Sequence, residues 1–308
     1  MSNPGLRKPR FNRSADYPPL TITGRDIDIL SLAERHRLIR SDHVRKVVGG
    51  SGQHLTRRLG RLYHAGLLER PKAQLMIQHR TNTHMACCIA SMGQAALRDR
   101  GHPTFASPPR IRGATAALAM SHTLRVIDVM VALERSASAE GLALLPHHDW
   151  PVETGDSMRL SLLRWSVKLN FDGRRIRTAV MPDAAFALER NGSRSYFFVE
   201  VDRGTMPASR SKSEQSSFRK KVLAYKAARD AGILCKRYEI PGFRVLVVAE
   251  SERRLRSLRS AAASCFQRGE STLFCFAVTE QLLQADGMLD CIWVTCAGTP
   301  VRPLALEN

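Results

Sequence analysis

The apolar residues of this sequence change their spacing near residue 140. Before that point they recur at helical intervals, and after it they form short β-prone runs such as TAVMPDAAFAL, SYFFVEVD, FRVLVVAES and LFCFAVT. Two helical segments, Ser213–Gly232 and Ser251–Phe266, interrupt these runs. Strands that alternate with helices in this way predict an α/β layer with a mixed sheet. The sequence therefore predicts an α+β protein whose second half, residues 141–308, is one α/β domain.

Three helical segments are predicted in residues 20–106. The second begins at Ser41 or Asp42, residue types that favour helix N-caps. The third runs over Gln53–His64, and a glycine follows it before a short strand. Its leucines recur at the spacing of one buried stripe: Leu55, Leu59 and Leu62. Three helices followed by a β-hairpin are the order of a winged helix-turn-helix domain, in which the third helix normally enters the major groove of DNA.

Polar and basic residues occupy the side of the third segment that the leucines leave outward. Arginine suits DNA because its guanidinium binds guanine and phosphate with two parallel hydrogen bonds. The predicted recognition residues are Gln53, His54, Arg57, Arg58 and Arg61. A wing formed by residues 67–72 and part of 76–89 would add phosphate contacts from Arg70, Lys72 and Arg80. The alternative is that this module packs against another protein.

Net charge supports a polyanionic partner for both halves. Lysine and arginine number 47 against 28 acidic residues, which gives a formal charge of +19. Residues 1–19 are predicted to form a disordered basic arm, and residues 107–140 a linker with a bridging helix. A merely basic surface is the competing interpretation. The sequence contains no run of about 18 apolar residues and no apolar signal core at its N-terminus, so we expect a cytoplasmic protein without a membrane-spanning helix.

Carboxylates end two consecutive strand-like runs in the second half. Pro182-Asp183 closes one, Asn191-Gly192 marks a hairpin turn, and Glu200-Val201-Asp202 closes the next. This pattern resembles the PD-(D/E)xK nuclease superfamily, and the resemblance implies a restriction-endonuclease-like domain in which both strands lie side by side. Alternation along the second strand would then place Glu200 and Asp202 on one face, near Asp183. Such a cluster repels itself unless a cation neutralises it, and hard oxygen ligands suit Mg²⁺ or Mn²⁺.

The sequence departs from that pattern where a lysine is expected, because Asp202 and then Arg203 follow Glu200. Some family members supply the lysine from the next helix. At about 100° per residue, Lys221 lies on the side of Phe218, Val222 and Tyr225, whereas Lys220 points nearly opposite. Lys221 is therefore the candidate, although both lysines facing solvent or phosphate remains an alternative. The predicted catalytic set is Asp183, Glu200, Asp202 and Lys221, with the three carboxylates as metal ligands.

The whole chain resembles the bacterial replication-relaxation family over roughly residues 20–250. The resemblance is carried by SHTLRV, PDAAFAL, YFFVEVDRGT and KVLAYK. It implies a role in plasmid replication or mobilisation, and we expect a metal-dependent, relaxase-like nickase that binds double-stranded DNA at an origin-like site. One alternative is a non-catalytic initiation factor or transcriptional regulator, and another is a defence nuclease. A homodimer would allow two half-sites to be read.

Overall fold

A computed structural model describes seven stretches of the chain: residues 10–14, 17–78, 84–104, 116–150, 164–204, 217–284 and 293–304. These stretches divide into two compact units, one up to Val131 and the other from Ala132. Most of the predicted basic arm, the linker that precedes the bridging helix, and Arg80 lie outside the described residues.

The helices and strands are numbered in chain order. The α-helices are α1 Gly24–His36, α2 Ser41–Val47, α3 Gly52–His64, α4 Leu75–Gln78, α5 Ser91–Arg98, α6 Ala116–Ala139, α7 Phe218–Asp230, α8 Ile233–Tyr238, α9 Glu252–Ala263 and α10 Thr279–Gln284. The strands are β1 Ile39–Arg40, β2 Leu68–Glu69, β3 Ala86–Ile89, β4 Ala143–Pro146, β5 Trp165–Phe171, β6 Arg174–Val180, β7 Ala184–Arg190, β8 Ser193–Val201, β9 Phe243–Ala249, β10 Phe274–Val278, β11 Trp293–Val294 and β12 Pro300–Val301.

The first unit contains the three predicted helices, α1 to α3, and a small antiparallel sheet in the order β1-β3-β2. The predicted leucine stripe of α3 is buried and packs with residues of α1 and of the sheet: Leu55, Leu59 and Leu62 with Leu30, Ile39 and Ile89. Burial of these apolar side chains fixes the rotation of α3, so its opposite face is left outward.

The predicted wing is only partly right. β2 and β3 pair at Leu68–Ile89 and Glu69–Cys88, as a hairpin requires. Beyond Pro71, however, the chain turns into a 3₁₀ turn and α4 instead of continuing as a strand. The buried side chain of Gln74 explains this, because its amide accepts from Ala86 N at 2.9 Å and donates to Ala86 O at 3.0 Å. It thus occupies the hydrogen-bonding groups that an extended strand would use.

The helix α6 is long and apolar enough to cross a membrane, by length and composition alone. That finding differs from the expectation that no such segment exists. The same helix carries Asp128, which forms ion pairs with Arg40 and His43 of the first unit. Its apolar residues Met120 and Ile127 pack in a buried cluster with residues that include Leu38 and Cys88. This packing favours a core helix over a membrane span.

The second unit is built on a mixed sheet, as predicted. Its strand order is β12-β11-β10-β9-β8-β7-β4, with β8, β9 and β10 parallel to one another and the other neighbours antiparallel. The predicted turn joins β7 to β8 through Asn191 and Gly192, both with positive φ (52° and 81°). Asparagine and glycine tolerate this left-handed conformation, which matches the twist of a two-residue hairpin.

One core cluster joins this sheet to α7 and α9. Phe198 of β8, Val247 of β9 and Phe276 of β10 lie in it together with Tyr225 of α7 and Leu258 of α9. Because side chains alternate along a strand, the even-numbered residues of β8 point towards these helices. Glu200 belongs to this series, so its carboxylate points into the apolar layer between sheet and helices.

Candidate functional site

The outward face of α3 carries exposed polar and basic side chains. Ser51 caps the helix, and its hydroxyl accepts a hydrogen bond from His54 N at 3.3 Å. At about 100° per residue, four exposed residues cover roughly 100° of the helix surface, Gln53, His54, Arg57 and Arg61. Neither arginine of this group has an ion pair with any residue that the structure describes. We call these four residues the α3 face.

Arg58, predicted as a fifth member, is not part of the α3 face. Its guanidinium forms an ion pair with the fully buried Asp26 of α1 and donates to Thr21 O at 3.1 Å. Burial alone would raise the pKa of Asp26, but hydrogen bonds from Arg58 and Thr23 hold it below its usual value. Arg58 therefore neutralises a buried charge within the unit, and its contact with DNA stays a prediction.

The predicted wing residues differ in whether they are engaged in contacts within the first unit. Arg70 lies over the Tyr63 ring with 4.2 Å to the centroid and donates to Arg10 O at 2.7 Å, so it is used within the unit. Lys72 is exposed in the 3₁₀ turn. Of the three predicted phosphate contacts, Lys72 alone is both described by the structure and unengaged there.

Asp183 and Glu200 lie close together, as their strands predict. β7 and β8 are antiparallel neighbours, and Asp183 Oδ2 accepts from Val201 N at 2.8 Å. Glu200 is only 4% exposed. Its Oε1 accepts from the Tyr225 hydroxyl at 2.6 Å, and its Oε2 pairs with the Lys221 ammonium. The structure thus brings Lys221, chosen from helical geometry, to the carboxylate for which it was predicted.

Burial has the largest effect on the pKa of the Glu200 carboxyl group. Loss of hydration raises the pKa of Glu200 to about 7, and the nearby charge of Asp183 adds to the rise. Lys221 and the Tyr225 hydroxyl act in the opposite direction, because both donate to the carboxylate, but burial outweighs them. Burial and the Glu200 charge also raise the pKa of Tyr225 well above its ordinary value. A phenol held neutral in this way is a hydrogen-bond donor rather than a nucleophile.

Asp202 does not join the other two carboxylates as a third ligand. It follows the last residue of β8 and binds Arg254 of α9 with two hydrogen bonds of 2.7 Å, from Nε and Nη2. It also accepts from Gly204 N at 2.8 Å. In the described part of the chain, the oxygen atoms of Asp183, Glu200 and Asp202 do not all lie within 4.8 Å of one another. The predicted three-carboxylate centre is therefore corrected to a pair and a separate ion pair.

These donors and acceptors do not fit a resident divalent cation. Lys221 and Tyr225 occupy both oxygens of Glu200, and Arg254 neutralises Asp202. A cation would have to displace an ammonium or a guanidinium, each of which already balances the charge that the metal would neutralise. The arrangement is that of a buried polar network that stabilises the junction between β8, α7 and α9.

A second cluster, which the sequence did not reveal, lies in the first unit. Asp42, His43 and Asp128 place ligand atoms within 4.8 Å of one another. Arg40 lies among them, hydrogen-bonded to Asp42 at 3.1 Å and to Asp128. Burial would raise the pKa of Asp42, but the Arg40 guanidinium lowers it. Arg40 pairs with both carboxylates and His43 pairs with Asp128, so these residues form an ion-pair network. Asp128 lies 85 residues from His43, so no local pattern could have indicated it.

Comparison with known proteins identifies the family to which the chain belongs. The model of the family described as Replication-relaxation matches residues 30–241, more than half of the chain. The chain belongs to the replication-relaxation family. The matched range includes the α3 face, Asp183, Glu200 and Lys221 and ends before Arg254. Membership in the replication-relaxation family supports a role in plasmid replication or in DNA relaxation. We found no match among curated proteins or among solved structures.

Proposed function

We propose that this replication-relaxation protein binds duplex DNA at an origin-like plasmid site through α3, and that its second unit does not cut the DNA. The first unit is read as a winged helix, since α1, β1, α2, α3, β2 and β3 follow one another in that order. The observation that carries the proposal is the α3 face, in which two arginines are exposed beside Gln53 and His54.

The chemistry of the α3 face matches the edges of base pairs. Arginine binds guanine O6 and N7 with two hydrogen bonds, and glutamine does the same with adenine N6 and N7. An α-helix fits the width of the major groove, so side chains on one outward face reach several successive bases. The formal charge of +19 adds a sequence-independent attraction to phosphate. A homodimer would present two such helices to two half-sites about one helical turn apart.

The proposed loss of catalysis rests on the internal pairing of the carboxylates. The second unit resembles the PD-(D/E)xK nucleases in the placement of Asp183, Glu200 and Lys221. Glu200, however, is buried, hydrogen-bonded at both oxygens, and has a pKa raised to about 7. A divalent cation at this carboxylate would have to displace the Lys221 ammonium and the Tyr225 hydroxyl, so the arrangement does not favour bound Mg²⁺ or Mn²⁺. The competing proposal, a metal-dependent nickase, needs Glu200 to leave Lys221 and Tyr225.

DNA recognition by α3 is tested by selecting a bound duplex from a random library and then measuring affinities at fixed salt. We expect Arg57→Gln/Arg61→Gln to weaken binding to the selected duplex about 100-fold, since each bidentate base contact contributes about 1–3 kcal/mol. The matched control is Arg253→Gln/Arg256→Gln, which removes the same charge from two exposed positions of α9. Equal losses in both variants would show that α3 contributes charge only, and an unchanged affinity in the α3 variant would overturn the proposal.

A further inference from the structure

The strands β5 and β6 form a two-stranded ribbon in the second unit. They pair with each other over their whole length, from Trp165–Val180 to Phe171–Arg174, and form a sheet of their own. Asp172 and Gly173 join them in a tight turn with positive φ at both residues (49° and 81°). We call this element the basic ribbon.

One face of the basic ribbon belongs to the core. Trp165, Val167, Leu169 and Phe171 are buried, and the Trp165 ring lies 5.8 Å from that of Tyr225, centroid to centroid. Alternation along the strand then sends the intervening residues of β5 outward. This packing fixes the register, so the outward set of side chains is determined.

The outward face concentrates positive charge. Lys168 lies directly opposite Arg177, and Asn170 lies directly opposite Arg175, all exposed. Residues 164–180 contain five basic side chains and one acidic side chain, Asp172. Asp172 is bound to Arg219 of α7 at 2.8 Å, so it does not neutralise the ribbon. In the part of the chain that the structure describes, Lys168, Arg175 and Arg177 have no ion pair.

Folding does not explain this arrangement. Like charges directly opposite each other on neighbouring strands destabilise a sheet. Folding requires only that the outward face of a strand be polar, and serine, threonine or charges of mixed sign meet that requirement. The apolar contacts that hold the ribbon come from its inward face. Three cations that no described residue pairs lie on one face of this two-stranded ribbon, which favours an anionic partner for that face.

We infer that the basic ribbon is a second DNA-binding surface, which contacts the phosphate backbone of duplex DNA through Lys168, Arg175 and Arg177. This inference rests on the proposed function and extends it to the second unit. A two-stranded ribbon is narrow enough to follow a groove of the duplex. Opposite residues lie about 5 Å apart and alternate residues about 7 Å apart, so the three cations cover a small patch. Such contacts add affinity and salt dependence, whereas base selection stays with α3.

The test measures the salt dependence of DNA binding by the full chain. Each phosphate contact contributes about 0.9 to the slope of log affinity against log salt concentration, so Lys168→Gln/Arg175→Gln/Arg177→Gln should lower the slope by about 2.7. The affinities for the selected duplex and for an unrelated duplex should fall by the same factor. Arg229→Gln/Arg253→Gln/Arg256→Gln, which removes three exposed charges from α7 and α9, is the matched control and should change the slope by less than about 1.

A charge-preserving variant separates binding from folding. Lys168→Arg/Arg175→Lys/Arg177→Lys should keep the wild-type slope, since phosphate contact depends on charge more than on shape. A ribbon variant with the slope of the control would overturn the inference and leave recognition by α3 intact. Loss of binding in the charge-preserving variant as well would also overturn it, because the effect would then be structural. A wild-type chain that binds no duplex even at low salt would overturn both proposals.

Discussion

Arg58→Ala is expected to lower the free energy of unfolding by about 3 kcal/mol, because it leaves the Asp26 carboxylate buried without its cation. Arg57→Ala, one residue earlier on the same helix, should change that free energy by less than about 0.5 kcal/mol, since Arg57 is exposed and has no ion pair in the described part of the chain. Under the proposed function, the two neighbouring arginines have separate roles, Arg58 in folding and Arg57 in DNA recognition. Urea unfolding followed by circular dichroism measures both values.

A double-mutant cycle supplies the control for this prediction. Asp26→Ala/Arg58→Ala removes both charges and should be more stable than Arg58→Ala alone, because no unpaired carboxylate remains buried. DNA affinity should show the reverse order: Arg57→Ala, which leaves stability almost unchanged, should weaken DNA binding more than Arg58→Ala does. Equal stability of the Arg57 and Arg58 variants would contradict the assignment of Arg58 to the interior.

Stability is expected to fall with rising pH in a way that depends on Glu200. The folded-state pKa of Glu200 is about 7 against an ordinary value of 4.5, because burial disfavours the charged form. Between these two values the folded chain holds a proton that the unfolded chain has released, so each pH unit lowers the free energy of unfolding by about 1.4 kcal/mol. The contribution is fully present below pH 4.5 and is lost as pH rises to about 7. The total loss should be about 3 kcal/mol.

Glu200→Gln isolates this effect from other titrating groups. The glutamine cannot ionise, so the stability of the wild type relative to the variant should fall as pH rises from about 4.5 to 7 and should be constant outside that window. Glu280→Gln replaces an exposed glutamate of α10 and should keep the wild-type pH dependence. Denaturant unfolding at a series of pH values measures the three curves. Parallel curves for wild type and Glu200→Gln would show that folding does not change the pKa of Glu200 and that the account of its burial is wrong.

Local patterns in the sequence predicted several elements correctly. The leucine stripe fixed the buried side of α3, and Asn191-Gly192 placed the β7–β8 turn. Helical geometry selected Lys221, which pairs with Glu200. Each of these predictions depends on residues within a few turns of one another, where spacing determines which side chains share a face.

The pairings that the sequence did not predict join residues that are distant in sequence. In the sequence, Arg58 does not differ from its neighbours on α3, but in the structure it pairs with Asp26, which lies 32 residues earlier. The sequence pattern indicated a metal ligand at Asp202, but in the structure Asp202 is paired with Arg254, which lies 52 residues later. Gln74 ended the predicted wing by bonding to Ala86. Ion pairs between remote positions leave no periodic signal, so a single sequence does not distinguish a free charge from a paired one.

A single agarose gel tests most directly whether this protein binds DNA without cutting it. Supercoiled plasmid carrying the selected site is incubated with the wild-type chain and Mg²⁺ or Mn²⁺, and half of each sample is treated with protease before loading. We predict a retarded plasmid in the untreated half and fully supercoiled plasmid after protease. Open circles after protease that disappear with Glu200→Ala would contradict the account and establish a metal-dependent nickase.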